Sequence, residues 1–234
     1  MNKLIEKLSE FQDSRRKGED LESSFEKLAK YLLYGGYFHC SEWYDLYITS
    51  VEFYYHEEDG DIKDPIMYHR NKIKWINSSK KEQPESILKP FFVIGTLNPH
   101  MSGVDITFED YKDLKYRASA LIRAFVVKGK GVKKPIEDGR STYVYDYLFD
   151  GLSVDKERNQ LEWKEIQDFI LPSEDLPRAI RKNVYKYVSE DEARKLNIDV
   201  EKMKYKDAEY YKTDTLSNKK WRFSRLDSKF QNTI

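Results

Sequence analysis

The 234-residue chain is short of several features that usually announce a function. It has one cysteine, Cys40, so no intramolecular disulfide can form, and the composition fits a reducing compartment. Its four histidines, His39, His56, His69 and His100, fall in no recognised zinc spacing. His39 and Cys40 are neighbours, so on a strand they would point to opposite faces. Glycine is sparse: no phosphate loop and no dinucleotide-binding Gly-x-Gly-x-x-Gly follows a strand, and Gly129-Lys130-Gly131 is too short and too basic for either. A Gly-x-Ser-x-Gly nucleophile elbow is absent too. These absences lead us to expect no metal and no cofactor.

No apolar run approaches the length of a membrane span, and Met1-Asn2-Lys3-Leu4 opens a charged amphipathic segment instead of a leader peptide. The expected location is cytoplasmic, and nucleoid-associated if the chain binds DNA. Net charge is also missing. Forty-one basic and 41 acidic residues cancel, which excludes a globally basic protein and confines any DNA-binding surface to a local patch.

What is present is aromatic and charged. With 18 Tyr and 12 Phe, the chain has the means to build a core in spite of a mean hydropathy of -0.80. Leu4, Ile5, Leu8 and Phe11 recur at helical spacing, and Leu21, Phe25, Leu28 and Leu32 repeat the pattern before Gly35-Gly36. Two helices are expected there, packed on the body or presented to a partner. From Tyr37 the period changes to that of strands, expected over residues 37–40 and 46–56. Residues 57–61 form an acidic turn that lacks the distal Glu of a calcium loop. Residues 71–83 read as a polar connection pinned by Ile73, Trp75 and Ile76.

Residues 91–97 read as a compact strand that Asn98-Pro99 breaks. Further strands are expected at 103–108 and 118–127, followed by a basic loop at 128–135. A capping box at 189–192 predicts a helix to about Leu196, another helix spans about 200–211, and residues 219–225 close the chain as a strand. The expected architecture is α+β: a curved, mostly antiparallel sheet or partial barrel with flanking helices. We read it as a single domain, with N-terminal helices over 1–36, the core sheet over 37–128, and completion of the fold over 129–234.

Within that frame a few polar residues sit in apolar strands. Glu52 lies in the middle of Ile48-Thr49-Ser50-Val51-Glu52-Phe53-Tyr54-Tyr55-His56. A carboxylate there is costly unless it is paired, exposed or kept for chemistry. Arg123 is the lone cation of the run at 118–127, and alternation puts it on one face with Ser119, Leu121, Phe125 and Val127. Buried arginines usually meet a carboxylate or an anionic ligand. Each also has a structural explanation: Glu52 on the wet side of an edge strand, Arg123 in an ordinary ion pair.

Taken in order, these stretches resemble the alkyladenine (3-methyladenine) DNA glycosylases. Ser50-Val51-Glu52-Phe53-Tyr54 is similar to the family's Val-Glu-Thr-Glu-Ala-Tyr strand, and the segment from Asp64 to Asn71 to its Asp-x-x-x-His segment. Gly95-Thr96-Leu97, Asp105-Ile106, Ala120-Leu121-Ile122-Arg123-Ala124 and Trp221-Arg222-Phe223 resemble later strands. The resemblance spans residues 25–128 and 217–227. It implies Glu52 as the catalytic carboxylate, Arg123 as the residue that helps hold the attacking water, and Tyr54, His69 and Asp105 as the base-binding set. Where the family carries a wedging tyrosine, this chain has Asn98, Pro99, His100 and Met101, and the pocket Asn is replaced by Asp105.

The expectation is therefore a monofunctional, water-activating glycosylase acting on double-stranded DNA with a flipped, damaged purine. Lys128, Lys130, Lys133, Lys134, Lys219, Lys220 and Arg222 are candidate phosphate contacts. The alternative is a diverged, inactive member of the same fold that binds a nucleic acid or a small ligand. A third possibility is an interaction domain that presents the N-terminal helices.

Overall fold

The computed structural model describes residues 3–57, 59–62, 64, 92–181 and 219–231. His69, the connection at 71–83 and the helices expected near 189–196 and 200–211 lie outside them. Helix α1 runs Lys3–Arg16 and buries Leu4, Leu8 and Phe11. Helix α2 runs Leu21–Tyr34 and buries Phe25, Leu28, Ala29 and Leu32. Both start and stop where the apolar spacing predicts. Asp20 caps α2: its carboxylate accepts from the Ser23 backbone N–H at 2.8 Å, meeting one of the donors that a helix start leaves without a partner.

The rest is a curled antiparallel half-barrel. In chain order the strands are β1 (Gly36–Ser41), β2 (Tyr44–Glu57), β3 (Leu97–His100), β4 (Gly103–Thr107), β5 (Tyr116–Lys128), β6 (Ile136–Asp138), β7 (Glu162–Glu165), β8 (Arg178–Ala179) and β9 (Arg222–Ser224). Their order is β3-β4-β5-β2-β1-β7, with β6 on β5, and β9 joining β2 to β8. Strand β2 is the axis of the molecule. Its whole length pairs with β5, and its other edge is shared between β1 and β9. At the turn into β1 the backbone must come close to β7. A Cβ at Gly36 would lie 2.5 Å from the Trp163 ring, so only glycine fits.

The helices cover one face of this sheet. Phe25 of α2 stacks on Phe53 with ring centroids 4.5 Å apart, and meets Trp221 edge-on at 5.2 Å. Phe11 of α1 meets Phe108 edge-on at 4.8 Å. Burying one such ring stabilises the fold by roughly 1.5–3 kcal/mol. Past β6 the chain makes a single 3-10 turn over Ser141–Tyr143 and a short helix, α3 (Val144–Leu148). α3 lies over one end of the opposite face, where Tyr147 meets Phe125 at 5.6 Å.

One strand differs from expectation. Residues 92–96 are not a strand: the Thr96 N–H donates to the Val93 carbonyl in a turn, and Val93 is exposed. The strand begins at Leu97 and runs through Asn98-Pro99, the pair expected to end it. Proline is tolerated there because β3 is the outermost strand of the sheet, where a missing N–H costs no ladder bond. Among the described residues no helix is long and apolar enough to cross a membrane.

Candidate functional site

Residues that face each other across antiparallel strands share a face of the sheet, and here the register draws one row through five strands. Asn98 on β3 faces Asp105 on β4, Asp105 faces Leu121 on β5, Leu121 faces Glu52 on β2, and Glu52 faces Arg222 on β9. None of the five is more than 4% exposed. A second row, Thr107–Ser119–Tyr54, runs beside the first. Arg123 lies two residues along β5 from Leu121, opposite the stretch of β2 where the ladder register is irregular. The face that meets α1 and α2 is apolar; this one is polar and equally buried.

At the centre is Glu52. The Tyr54 hydroxyl donates to its Oε1 at 2.5 Å, and Arg123 Nε lies 3.6 Å from Oε2. Burial, then the charge of Glu52 and the hydrogen bond to it, hold the Tyr54 phenol well above its ordinary pKa, so the hydroxyl remains the donor. Arg222 brings a second guanidinium to Glu52. Burial lowers its pKa, the Glu52 charge opposes that shift, and the like charge of Arg123 adds to it. Its Nη2 also donates to the Phe230 carbonyl at 2.9 Å.

Arg123 ties this centre to the β3–β4 hairpin. Its Nη1 donates to Ser141 Oγ at 3.2 Å, and that hydroxyl donates to the Ser102 carbonyl at 2.6 Å. The hairpin and the 3-10 turn are in close contact. Gly103 has φ +136°, and a Cβ there would lie 2.7 Å from the Ser141 carbonyl. Within the hairpin, His100 Nε2 lies 3.1 Å from Asp105 Oδ1, while His100 Nδ1 accepts from the Ser102 backbone N–H at 3.2 Å. An Nδ1 that accepts places the ring proton on Nε2, the nitrogen nearer Asp105, without closing a hydrogen bond to it. The Ser119 hydroxyl donates to Asp105 Oδ2 at 3.3 Å.

On the other side of Tyr54, the Arg181 guanidinium sits between two rings, 5.1 Å from Tyr54 and 4.9 Å from Trp221. It is held by Asp64 at 2.5 Å and by the Phe53 carbonyl at 3.3 Å. Asp64 also accepts from the Tyr55 backbone N–H at 3.1 Å. Tyr54 is therefore fixed at its ring by a cation and at its hydroxyl by Glu52.

Four of the residues expected in the site, Glu52, Tyr54, Asp105 and Arg123, lie together on this face; His69 is outside the described residues. The expected phosphate contacts divide. Lys128, Lys130, Lys133, Lys134 and Lys220 are exposed, and Lys219 is half-buried. Lys128 lies over the Tyr47 ring, Lys130 is 3.4 Å from Glu42, and Lys219 is 2.8 Å from Glu22. Arg222 departs from its expected place on a surface rim. β9 is an inner strand of the sheet, and its register points Arg222 at Glu52.

Asn98, His100, Ser119 and Arg181 join the site although sequence reasoning did not select them. A period-two reading of Asn98 and His100 was available, but the turn chemistry of Asn98-Pro99 hid it. Arg181 carries no local signal. Among the described residues no group of three or more His, Cys, Asp or Glu is placed to hold a metal ion. No protein-family model, curated protein or solved structure matches the chain, so its function has to be argued from this geometry.

Proposed function

We propose that the chain hydrolyses the N-glycosidic bond of a damaged or alkylated purine in double-stranded DNA, with the nucleotide turned out of the duplex onto the Asn98–Arg222 row. The observation that carries this reading is the setting of Glu52. It is a wholly enclosed carboxylate on a rigid strand, with a tyrosine hydroxyl on one oxygen and an arginine beside the other. In the reaction a water oxygen bonds to C1′ as the bond to the base nitrogen breaks. The water proton passes to Glu52, and the bonding electron pair leaves with the base. An alkylated, cationic purine departs neutral and needs no proton; a neutral purine departs as its anion and takes its proton from water.

Glu52 balances the positive charge that develops on the sugar, and Arg123 holds the water. Tyr54 and His69 offer faces for an electron-poor ring. The exposed Lys128, Lys133, Lys134 and Lys220 are available to phosphates. Met101, 79% exposed at the tip of the β3–β4 hairpin, is an apolar side chain of the kind that wedges into base steps.

The test is base release from duplexes carrying hypoxanthine, ethenoadenine, 3-methyladenine or an N7-alkylated guanine. The native chain should leave abasic sites, and Glu52→Gln, verified as folded by its thermal transition, should lose about 10²–10⁴ in rate. Duplexes left intact at high concentrations of the native chain would reject the reading.

A second reading has an observation of its own. Glu52 is sealed from solvent, and Lys130 and Lys219 already meet acidic partners, which suits a member of the fold that binds without cleaving. Steeply salt-dependent binding to plain and lesion duplexes alike, with no base release, would select that reading.

A further inference from the structure

Asn98 and Asp105 face each other at the far end of the row from Arg222, both buried on the face that carries Glu52. Asp105 is arranged as an acceptor. His100 Nε2 approaches Oδ1 at 3.1 Å, and the Ser119 hydroxyl donates to Oδ2 at 3.3 Å. A carboxylate has about four lone-pair positions; Ser119 fills one on Oδ2 and Oδ1 accepts no hydrogen bond, so each oxygen has at least one to spare. Asn98 supplies the opposite chemistry: its Nδ2 is buried and has no hydrogen-bond partner. Buried polar groups are nearly always satisfied, and one that is not leaves room for a water, an ion or a ligand to meet it. A free donor thus lies beside an acceptor with two positions to fill.

The distance to Glu52 suits a flat bicyclic base. Asp105 and Glu52 are separated by one strand, so their backbones lie about 10 Å apart, twice the spacing of neighbouring strands. Leu121 lies between them; it is 1% exposed and a Cβ at Gly103 would lie 3.0 Å from its Cδ1, so a base reaches it only once the hairpin cover moves aside. A purine admitted there would have its glycosidic nitrogen toward Glu52 and its hydrogen-bonding edge toward Asn98 and Asp105.

We infer that Asn98 and Asp105 read the edge of a guanine-type base. The carbonyl oxygen O6 accepts from Asn98 Nδ2, and N1–H and the 2-amino group donate to the two oxygens of Asp105. This rests on the preceding reading that the row receives a base, and it names which base. Hypoxanthine lacks the 2-amino group and leaves one Asp105 oxygen unfilled. Adenine offers its amino group and bare N1, and also fills only one oxygen. An etheno bridge removes every donor from the edge and brings a ring nitrogen against the carboxylate. His100 acts here as a positioning residue that holds Asp105 turned toward the row.

Nucleoside 5′-monophosphates test this, because a shared sugar and phosphate leave only the base to rank them. Titration of the full chain, followed by calorimetry, should give GMP the tightest binding, then IMP and AMP, with ethenoadenosine monophosphate last. GMP should exceed AMP by about tenfold, as one additional charge-assisted hydrogen bond allows. Asp105→Asn should bring GMP and AMP close to equal. Asn98→Leu should weaken GMP and IMP together and leave the etheno compound unchanged. His100→Gln, which keeps both reading groups, should narrow the GMP preference without abolishing it, and serves if Asp105→Asn does not fold.

AMP binding as tightly as GMP, an unchanged order in folded Asp105→Asn, or no binding of any of the four would overturn the inference. Its failure is separable from that of the hydrolytic reading. A GMP preference without base release rejects hydrolysis alone. Base release with an adenine preference rejects the edge reading alone.

Discussion

On the side of the sheet that meets α1 and α2, Val51, Phe53, Ala120 and Phe223 bring apolar groups together, and nearly every contact is a ring or a methyl. One residue along on the same strands, Glu52, Leu121 and Arg222, with Asp105 of β4, build the opposite face from charges around a single leucine. Both faces are closed to water, so exposure does not separate them. They differ in what burial does to their groups. On the first face burial stabilises each side chain alone. On the second, each charge must be met by another, and removing one member leaves its partner worse placed than water would. Such a face adds little to stability, and its composition is better explained by a task than by folding.

The largest effect is expected from the apolar side. Phe53 is completely enclosed and meets Phe25, Phe108 and Phe223. Phe53→Ala should lower the unfolding free energy by about 3–5 kcal/mol, read as a shift of the denaturant midpoint at constant slope. A loss below about 1 kcal/mol would mean that this face is not the core.

The polar side should answer differently. Arg123→Met takes one guanidinium from Glu52, and should cost about 3 kcal/mol, the low end for a buried pair because Arg222 stays beside the same carboxylate. The double variant Arg123→Met with Glu52→Gln should cost less than the sum of the two singles, since neither residue then leaves a charge for the other to meet. Strict additivity in that cycle would show that the two residues do not act on each other, and would remove the distinction between the faces.

The alternation behind both faces was legible in the sequence wherever a strand is long and aromatic. β2 and β5 carry enough β-branched and aromatic residues to declare their period, so the alternation within each could be stated from spacing, but the face that Glu52 and Arg123 share is set by the β2–β5 register, which spacing does not contain. β3 could not, because Pro99 obeys its position at a sheet edge, and edge position is decided by pairings that no local window contains. β6 through β8 are two to four residues each and mostly polar, and the neighbours they pair with hold them in place. Arg222 went to the wrong surface for the same reason. Basic residues around Trp221 read as a wet rim until the register of β9 against β2 turns one of them inward.

The smallest effect concerns how the apolar face keeps its cover. α2 lies over Phe53 only if its first turn is closed, and Asp20 closes it by accepting from both the backbone N–H and the hydroxyl of Ser23, at 2.8 and 2.9 Å. Those bonds favour the carboxylate over the carboxylic acid, and hold the Asp20 pKa below its ordinary value. A depressed folded-state pKa means that the stabilisation is complete above the unfolded value, near pH 4, and is lost as the pH falls through the folded one. Asp20→Ala should therefore cost about 1 kcal/mol at neutral pH, and the gap between native and variant should close in acid. Paired urea melts at pH 7 and pH 3 measure both. A gap that stays the same at pH 3 would show that the side chain acts through something other than its charge.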